Sequence, residues 1–247
     1  MPKFFVKSNQ IEDNKIEIIG NDVNHIKNVL RKQINDEIEV CDFESKKNFN
    51  CKIEKIDENS IICGIIEINK NCCESNIELT IYQGLPKADK MELIIQKSVE
   101  LGVKEIVPIK MKRCIVKLDG KDEIKKIQRW QKISEVAAKQ CQRDIIPEIK
   151  KITTIKEIAR CSENYDALIV AYENEKDYTL KECLKNIQKN DIIKIALVIG
   201  PEGGLDPEEV TLLQQNGAKI VTLGKRILRT ETVALNVASI IMYELES

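Results

Sequence analysis

Two short segments near the C-terminal end combine residue types that could hold a ligand and act on it. Gly200-Pro-Glu-Gly-Gly204 follows the apolar run 195–199, and Arg229-Thr-Glu231 follows residues 219–223. Glycine adopts positive φ without strain and lets a ligand approach the main chain closely. Arginine is a permanent cation, and carboxylates can act as acids or bases. The two segments therefore predict a ligand site with a group that can stabilise negative charge.

The elements around these segments predict how the chain positions them. The run 195–199 is apolar and rich in β-branched residues, which is typical of a strand covered on both faces. Asp206 as N-cap, Pro207 and Glu209 predict the start of a helix, and Gly217 predicts its end. Because neighbouring parallel strands end at one edge, both loops should lie where open α/β sheets bind ligands.

The loop sequence excludes two common ligand classes. No Gly-Lys-Ser/Thr follows Gly204, so this is not a phosphate-binding P-loop, and the absence of Gly-x-Gly-x-x-Gly disfavours a dinucleotide. Main-chain groups from two loops suit a compact ligand with an adenine ring. Its apolar walls would be Leu205, Leu223, Ile227 and Leu228. From the residues alone, two ordinary α/β turns remain an alternative.

Composition indicates the class of protein. The 247 residues suffice for one large domain or two smaller ones. No apolar run is long enough to span a bilayer, and the chain does not open with a signal peptide, so we expect a cytoplasmic protein. Nine cysteines at irregular spacings, without Cys-x-x-Cys, are typical of buried thiols in a reducing compartment. With a single histidine, we expect no metal site.

Charge alone does not indicate a nucleic-acid partner. The formal net charge is −1, but residues 71–150 carry sixteen basic and twelve acidic side chains. The basic excess is densest at 110–117. Lysines near the start of a helix oppose its dipole, so Lys87 and Lys90 favour an anionic partner as much as they favour plain surface lysines.

The chain order predicts two domains. Residues 1–70 should form short strands of a small barrel or sandwich, at 4–6, 16–19, 37–42, 49–56 and 61–68, with one helix at 22–32 capped by Asp22. The polar segment 69–76 is the predicted linker. From residue 77 strands and helices alternate, which indicates a mostly parallel sheet. The strands should lie at 77–83, 105–109, 166–172, 195–199 and 219–223, and the helices at 90–101, 122–143, 178–188, from 206 and from Thr230, which can cap the last helix. Trp130 is expected in the core.

Several stretches resemble one family. Residues 199–204 followed by Leu223-Gly-x-x-Ile-Leu-Arg-Thr-Glu-Thr232 are similar to the signature of the RsmE family of SPOUT-class methyltransferases. Residues 24–31, 90–102 and 135–143 also resemble family segments, in order along nearly the whole chain. Two positions depart from the pattern, since Asn35 stands where the family commonly has glycine, and Cys114 stands where it usually has serine after Arg113. Asn tolerates positive φ, so the turn should survive.

The resemblance implies a fold and an activity. The fold is α/β, with a small N-terminal PUA-like β-barrel that binds RNA (1–70) and a C-terminal SPOUT domain (77–247) with a parallel sheet and a trefoil knot at about 166–245. The implied activity is S-adenosylmethionine-dependent methylation of N3 of a uridine in 16S RNA of the small ribosomal subunit. The family also implies a homodimer, in which one subunit's RNA-binding domain serves its partner's cofactor pocket. Composition predicts a cytoplasmic protein with no metal and no membrane span.

The same resemblance assigns residues to roles. The catalytic candidates are Arg229, which would orient the uridine or stabilise its negative charge, and Glu202, which could be a base or only hold its loop. S-adenosylmethionine would contact Ala171, Tyr172, Ile199, Gly200, Glu202, Gly203, Gly204, Leu223, Gly224, Ile227, Leu228 and Thr232. RNA would contact His25, Arg31, Lys87, Lys90, Arg113 and Arg143.

Other functions compete with this interpretation. A non-catalytic RNA-binding protein with a decayed enzyme domain is one, although the intact loop motifs disfavour decay. A nucleotide-dependent oxidoreductase is another, and it lacks a dinucleotide fingerprint. Within the SPOUT class the substrate could also be transfer RNA or a ribose hydroxyl. The His25 and Arg31 motif favours uridine N3.

Overall fold

The computed structural model describes residues 3–69, 73–188 and 190–246, in two compact units. One unit comprises Met1–Glu74 together with Ala138–Ile146, and the other comprises Ser75–Ala137 and Pro147–Ser247. The predicted linker 69–76 falls at the first of these divisions, and its residues 70–72 lie outside the described residues. The return of Ala138–Ile146 to the first unit was not predicted.

The first unit is built on a six-stranded sheet with the order β1-β4-β5-β6-β3-β2. Its strands are β1 (Lys3–Val6), β2 (Ile11–Glu12), β3 (Lys15–Ile19), β4 (Glu37–Asp42), β5 (Lys47–Ile56) and β6 (Ser60–Asn69). β1 pairs with β4 in parallel and the other pairs are antiparallel. Alternate residues, such as Ile38 and Val40, are fully buried in one core. The five predicted strands are confirmed, and the two-residue β2 was missed.

The prediction of a regular α-helix at 22–32 is wrong. α1 (Asn21–Asn24) continues as a π-helical turn, His25–Val29, and Gly20 with φ +74° is its N-cap instead of Asp22. Asp22 lies in the first turn and accepts from Lys139 Nζ at 2.7 and 2.9 Å. Asn35 has φ +76°, so the predicted turn forms with asparagine in place of glycine.

A buried polar cluster ties the segment Ala138–Ile146 to the strands of the first unit. Lys3 Nζ lies 2.6 Å from Asp144 Oδ1, and the two side chains are 5% and 2% exposed. Asn48 Nδ2 donates to the same oxygen at 2.7 Å, and the Cys41 thiol donates to the Asp144 carbonyl at 3.2 Å. These bonds satisfy a charge that would otherwise be costly to bury.

The second unit is a parallel α/β sheet with the order β10-β8-β7-β12-β11-β13 and with β9 beside β8. Its strands are β7 (Ile77–Gly84), β8 (Glu105–Lys110), β9 (Glu148–Ile149), β10 (Thr153–Thr154), β11 (Ala167–Ala171), β12 (Ile193–Ile199) and β13 (Lys219–Val221). Its helices are α2 (Lys90–Glu100), α3 (Gly120–Gln140), α4 (Ile155–Arg160), α5 (Leu180–Lys185), α6 (Pro207–Gln215) and α7 (Thr230–Leu245). Every strand pair of this sheet is parallel, as predicted.

Helices cover this sheet and bury its central strands. β12 is buried except at Lys194, which is the pattern of a strand covered on both faces. α7 packs against α2 and over β7 and β12, while α4 and α6 pack together over other core residues. Trp130 is 4% exposed and belongs to the core, as predicted. Two predicted helices are shorter than expected, and β9, β10 and α4 were not predicted.

Among the described residues, no helix combines the length and the apolar character that crossing a bilayer would require.

Candidate functional site

Three loops lie together at the carboxyl edge of three adjacent strands. β12 pairs with β7 on one side and β11 on the other, and β11 pairs with β13. The glycine-rich loop (200–206) leaves β12, the β11 loop (172–179) leaves β11, and the arginine loop (222–229) leaves β13. Residues that are distant in sequence, such as Ala171 and Ile199, are direct neighbours here. This edge is where open α/β sheets hold ligands.

The glycine-rich loop is folded tightly enough to require glycine. A Cβ on Gly200 would lie 2.9 Å from the Gly204 carbonyl carbon, and Gly204 has φ +72°. A Cβ on Gly84, at the end of β7, would lie 2.7 Å from Pro201 N. No larger residue fits without moving the main chain. The loop ends as predicted, because Asp206 accepts from Glu208 N at 3.1 Å and Glu209 accepts from Asp206 N at 3.2 Å.

The arginine loop presents main-chain groups that the described residues leave open. Of the N–H groups between Leu223 and Leu228, only that of Gly224 has a partner among the described residues, the Thr222 hydroxyl at 3.3 Å. Gly224 has φ +102° and no atom within 4 Å of its Cβ position. Ile227 is 88% exposed. The loop therefore offers open donors beside an apolar side chain, a combination that suits a heteroaromatic ligand.

Side chains from two other segments hold the glycine-rich loop. Arg113 Nη1 donates to Gly203 O at 3.2 Å, and Lys112 N donates to Glu209 Oε1 at 2.9 Å. Glu202 Oε1 accepts from Lys87 N at 3.0 Å and from Lys90 Nζ at 2.9 Å. The loop is thus fixed from the segments after β7 and after β8.

Charge pairing sets the protonation state of Glu202. Partial burial alone would raise the pKa of this carboxyl, but the hydrogen bonds from Lys90 and the Lys87 main chain lower the pKa below its usual value. The Lys90 pKa is raised, chiefly by the hydrogen bond to Glu202. Glu202 is therefore a stable anion held by two donors, which favours a loop-holding role over that of a general base.

Two site residues escaped sequence reasoning. The Thr230 hydroxyl donates to Gly200 O at 2.7 Å and accepts from Gln83 Nε2 at 2.8 Å. Thr230 was expected to cap α7, but it is the first helical residue and Arg229 occupies the N-cap position. No local signal marks Gln83, because β7 reads Ile-Glu-Leu-Thr-Ile-Tyr-Gln-Gly and carries other polar side chains.

The predicted catalytic arginine stands at the entrance to α7. Arg229 is exposed, and among the described residues it forms no ion pair. Lys225 and Arg226, in the same loop, are also exposed. A loop with three cations beside the glycine-rich loop could attract an anionic substrate and leave Arg229 free to contact it.

The remaining predicted cofactor residues lie at or next to this edge. Ala171 ends β11, and Tyr172 N donates to Val221 O at 3.1 Å. Thr232 is exposed in the first turn of α7. One predicted wall residue is misplaced, because Leu205 is 1% exposed and packs into the core instead of lining the edge.

Cys114 takes over part of the role of a hydroxyl. Its Sγ accepts from Met111 N at 3.4 Å and donates to Ile109 O at 3.7 Å. Burial raises the pKa of this thiol, so it stays protonated and can donate. The turn that presents Arg113 is thereby closed without serine.

The predicted RNA-contact residues divide between the two units. In the first unit, Arg31 is exposed with φ +53°, and the His25 ring meets Phe4 edge to face at 5.9 Å. Lys87, Lys90 and Arg113 surround the glycine-rich loop of the second unit.

Arg143 does not fit the role predicted for it. Its side chain is buried, and its guanidinium forms hydrogen bonds with the Glu74 carboxylate. A buried, paired guanidinium cannot reach an RNA phosphate, so Arg143 has a structural role in the first unit.

Within the described residues, one group of possible metal ligands was found, and it lies in the first unit. Cys73, Glu74 and Asp144 bring ligand atoms within 4.8 Å of one another. Both carboxylates already have cationic partners, Arg143 for Glu74 and Lys3 for Asp144. The group is therefore explained without a metal ion.

Comparison with known proteins identifies two domains. Residues 73–242 match the family model described as RNA methyltransferase domain, and residues 18–66 match the RNA methyltransferase PUA domain. Ribosomal RNA small subunit methyltransferase E of Bacillus subtilis is 34% identical over 100% of this chain and 98% of its own length. The protein of that name from Mesomycoplasma hyopneumoniae is 33% identical over 95% of this chain and 96% of its own.

Solved structures agree with this match over the full length. Ribosomal RNA small subunit methyltransferase E of Neisseria gonorrhoeae, solved with S-adenosylmethionine, is 30% identical with a TM-score of 0.87, covering 100% of this chain and 98% of its own. A Legionella pneumophila methyltransferase solved with the same cofactor is 26% identical with a TM-score of 0.86, covering 99% and 98%. The sheet edge, its loops and these matches together show that the chain belongs to the ribosomal RNA small subunit methyltransferase E (RsmE) family.

Proposed function

We propose that this protein transfers a methyl group from S-adenosylmethionine to N3 of a uridine in the 16S RNA of the small ribosomal subunit. One observation carries the proposal. Three loops converge at the carboxyl edge of β12, β11 and β13, and one of them leaves its main-chain donors open. Relatives that match the whole chain are named as ribosomal RNA small subunit methyltransferases, and two similar structures contain the cofactor.

The residues at this edge fit S-adenosylmethionine. The open N–H groups between Leu223 and Leu228 can pair with the edge of an adenine ring, and the exposed Ile227 can cover its face. Gly200 and Gly204 let the glycine-rich loop fold tightly at this edge, because a Cβ on either residue would meet other protein atoms. The cofactor supplies a methyl group on a positively charged sulfur, from which an in-line displacement takes it. The loops hold the two reactants close together and in line.

Arg229 is the residue that we assign to the uridine. The N3 proton must leave before its lone pair can attack, and negative charge then develops on the ring. Arg229 is exposed at the start of α7, next to the open loop, and an arginine side chain is a permanent cation. It orients the base and stabilises that charge. Glu202, already bonded to Lys90 and Lys87, holds the loop instead of taking the proton.

The path of the chain supports a knot. β13 lies at the edge of the sheet, yet the next element, α7, begins with Thr230 bonded to Gly200 after β12 and to Gln83 of β7. The arginine loop must therefore cross back past the ends of β11 and β12. We assign the trefoil knot to this crossing, within residues 166–245.

The assembly and the location follow the family. We propose a cytoplasmic homodimer, and the exposed Tyr243 near the end of α7, 85% accessible, supports a partner surface on this helix. RNA would contact His25 and Arg31 in the first unit and the cations of the second unit, where Lys87 and Arg113 lie beside the glycine-rich loop.

A methylation assay tests the activity. Purified protein and S-adenosylmethionine are incubated with unmethylated small subunits or with free 16S RNA, and digested nucleosides are analysed by mass spectrometry. We expect 3-methyluridine, formed about 10²–10³-fold more slowly by Arg229→Ala, and none when the cofactor is left out. Cofactor binding without any methylated nucleoside would refute the substrate. Failure to bind the cofactor would favour the RNA-binding alternative.

A further inference from the structure

One hydroxyl joins the two loops that we assign to the cofactor. Thr230 immediately follows the arginine loop, and its Oγ1 donates to the carbonyl of Gly200, the first residue of the glycine-rich loop, at 2.7 Å. Thr230 is 6% exposed. This buried hydrogen bond links the loops directly, in addition to the strands that carry them and to Lys90, which lies 2.9 Å from Glu202 and 3.5 Å from Glu231.

The Gly200 carbonyl imposes the direction of this bond, and Gln83 complements it. A threonine hydroxyl has one proton, and Gly200 O can only accept, so the proton points at Gly200. The hydroxyl can then only accept from its other neighbour. Gln83 Nε2 provides that donor at 2.8 Å and also donates to its neighbour Gly84 O at 3.0 Å. Because both contacts need N–H groups, the orientation of the amide is determined.

Within the described part of the chain, the buried Gln83 side chain has an unpaired oxygen that lowers stability, which indicates a role other than stabilising the fold. Gln83 is fully buried, and among the described residues its Oε1 has no hydrogen-bond partner. An unpaired buried oxygen destabilises the fold, whereas an apolar residue of the same shape would leave nothing unpaired. Gln83 also stands opposite Ile199, the last residue of β12, at the point where the glycine-rich loop begins.

We propose that Gln83 and Thr230 are positioning residues that hold the two cofactor loops at the spacing S-adenosylmethionine requires. This inference rests on the proposed function, because it deepens the same site. Gln83 donates to the Thr230 hydroxyl and so holds it in place, and Thr230 donates to the carbonyl of Gly200, where the glycine-rich loop begins. Neither side chain needs to contact the cofactor.

The test compares variants that differ by one hydrogen-bonding group. Thr230→Val and Gln83→Met keep size and remove the bonds, while Thr230→Ser keeps the hydroxyl. Ser134→Ala is the matched control, because the Ser134 hydroxyl is equally buried and donates to Pro147 O at 2.6 Å, away from both loops. The dissociation constant of S-adenosylmethionine is measured by calorimetry, and the melting temperature of the cofactor-free protein serves as the stability reference.

We expect Thr230→Val and Gln83→Met to weaken cofactor binding by about tenfold, the value of one hydrogen bond. Thr230→Ser and Ser134→Ala should bind like wild type. Because the residues act in series, the double variant should bind no more weakly than Thr230→Val alone. Unchanged binding by Thr230→Val, or equal weakening by Ser134→Ala, would overturn the proposal.

Amide hydrogen exchange tests the positioning role of Thr230 independently of the proposed methyltransferase function. In the cofactor-free protein, Thr230→Val should speed exchange at Gly204 in one loop and Gly224 in the other, whereas Ser134→Ala should speed neither. If wild type does not bind S-adenosylmethionine, the proposed function fails, and exchange still decides whether the hydroxyl couples the loops. If Thr230→Val speeds exchange in only one of the two loops, the proposal that the hydroxyl couples them is overturned.

Discussion

Lys90 Nζ and Glu202 Oε1 lie 2.9 Å apart, so the first residue of α2 is bonded to the glycine-rich loop. Both residues were candidates for contacts with other molecules, Lys90 with RNA and Glu202 with the uridine proton. The structure pairs them with each other, with Glu231 Oε2 3.5 Å from the same ammonium. Their common effect is to fix the position of the loop.

Glu202→Gln should separate loop holding from proton abstraction. Glutamine still accepts from Lys87 N but carries no charge, so we expect the turnover number to stay within about tenfold of wild type with an unchanged pH profile. Loss of a general base would lower turnover by about 10²–10⁴. Turnover is measured from pH 5 to 9 at saturating cofactor and RNA. A loss of 100-fold or more would restore Glu202 as the base.

Arg229→Ala should lower turnover by about 10²–10³ while leaving the affinity for S-adenosylmethionine unchanged, because it removes charge stabilisation in the transition state. Arg226→Ala is the matched control, since Arg226 is an exposed cation of the same loop. It should weaken RNA binding and its salt dependence without lowering turnover at saturation. Equal kinetics in the two variants would contradict the role of Arg229.

Gly224→Ala should weaken cofactor binding by straining the arginine loop. Gly224 has φ +102° with open space around its Cβ position, so the added methyl acts only through the main chain. Gly217→Ala is the control, because Gly217 has φ +86° and equally open surroundings but ends α6. We expect both variants to lose about 1 kcal/mol of stability, and only Gly224→Ala to bind S-adenosylmethionine less tightly. Calorimetry measures the affinity for S-adenosylmethionine, and urea unfolding measures the stability of each variant.

The Lys3–Asp144 pair should make the first unit sensitive to acid. Burial alone would raise the pKa of Asp144, but hydrogen bonds from Lys3, Cys73 N and Asn48 lower the pKa below its usual value. A lowered folded pKa means that this stabilisation is present above the unfolded pKa, about 4, and is lost as pH falls through the folded pKa. Hydrogen exchange of strand β1 and β4 amides should therefore accelerate in this window.

Asp144→Asn provides the control for that prediction. It leaves the buried Lys3 without a counter-charge, so the first unit should lose about 3–5 kcal/mol at neutral pH. Below the folded pKa of Asp144 the variant and wild type should converge. A difference that stays constant down to low pH would show that the charge pair does not cause the acid sensitivity.

Local patterns predicted those parts of the fold that local chemistry decides. The strand Ile193–Ile199 and the cap formed by Asp206, Pro207 and Glu209 follow from apolar runs and capping residues. The π-helical turn at His25–Val29 was missed, because its apolar spacing also suits an α-helix. Short elements such as β10 and α4 carry too few residues to show a period.

Long-range pairing explains what was missed at the site. The sequence around Glu202 cannot show whether this carboxylate is a general base or is bonded to Lys90, because Lys90 lies 112 positions away. The Thr230 hydroxyl was interpreted as a helix cap, since that is the usual local use of threonine at such a position. Its bond to Gly200 became evident only when the sheet brought the ends of β7 and β12 together.

The bond between Lys3 and Asp144 also bears on how the protein is made. The two residues are 141 positions apart, so a nascent chain whose first 74 residues have left the ribosome still lacks the carboxylate that neutralises Lys3. The first unit cannot be completed until Ala138–Ile146 has emerged from the ribosome, by which time β7, α2, β8 and α3 have emerged as well. The N-terminal unit therefore cannot finish folding before a large part of the second unit has also been translated.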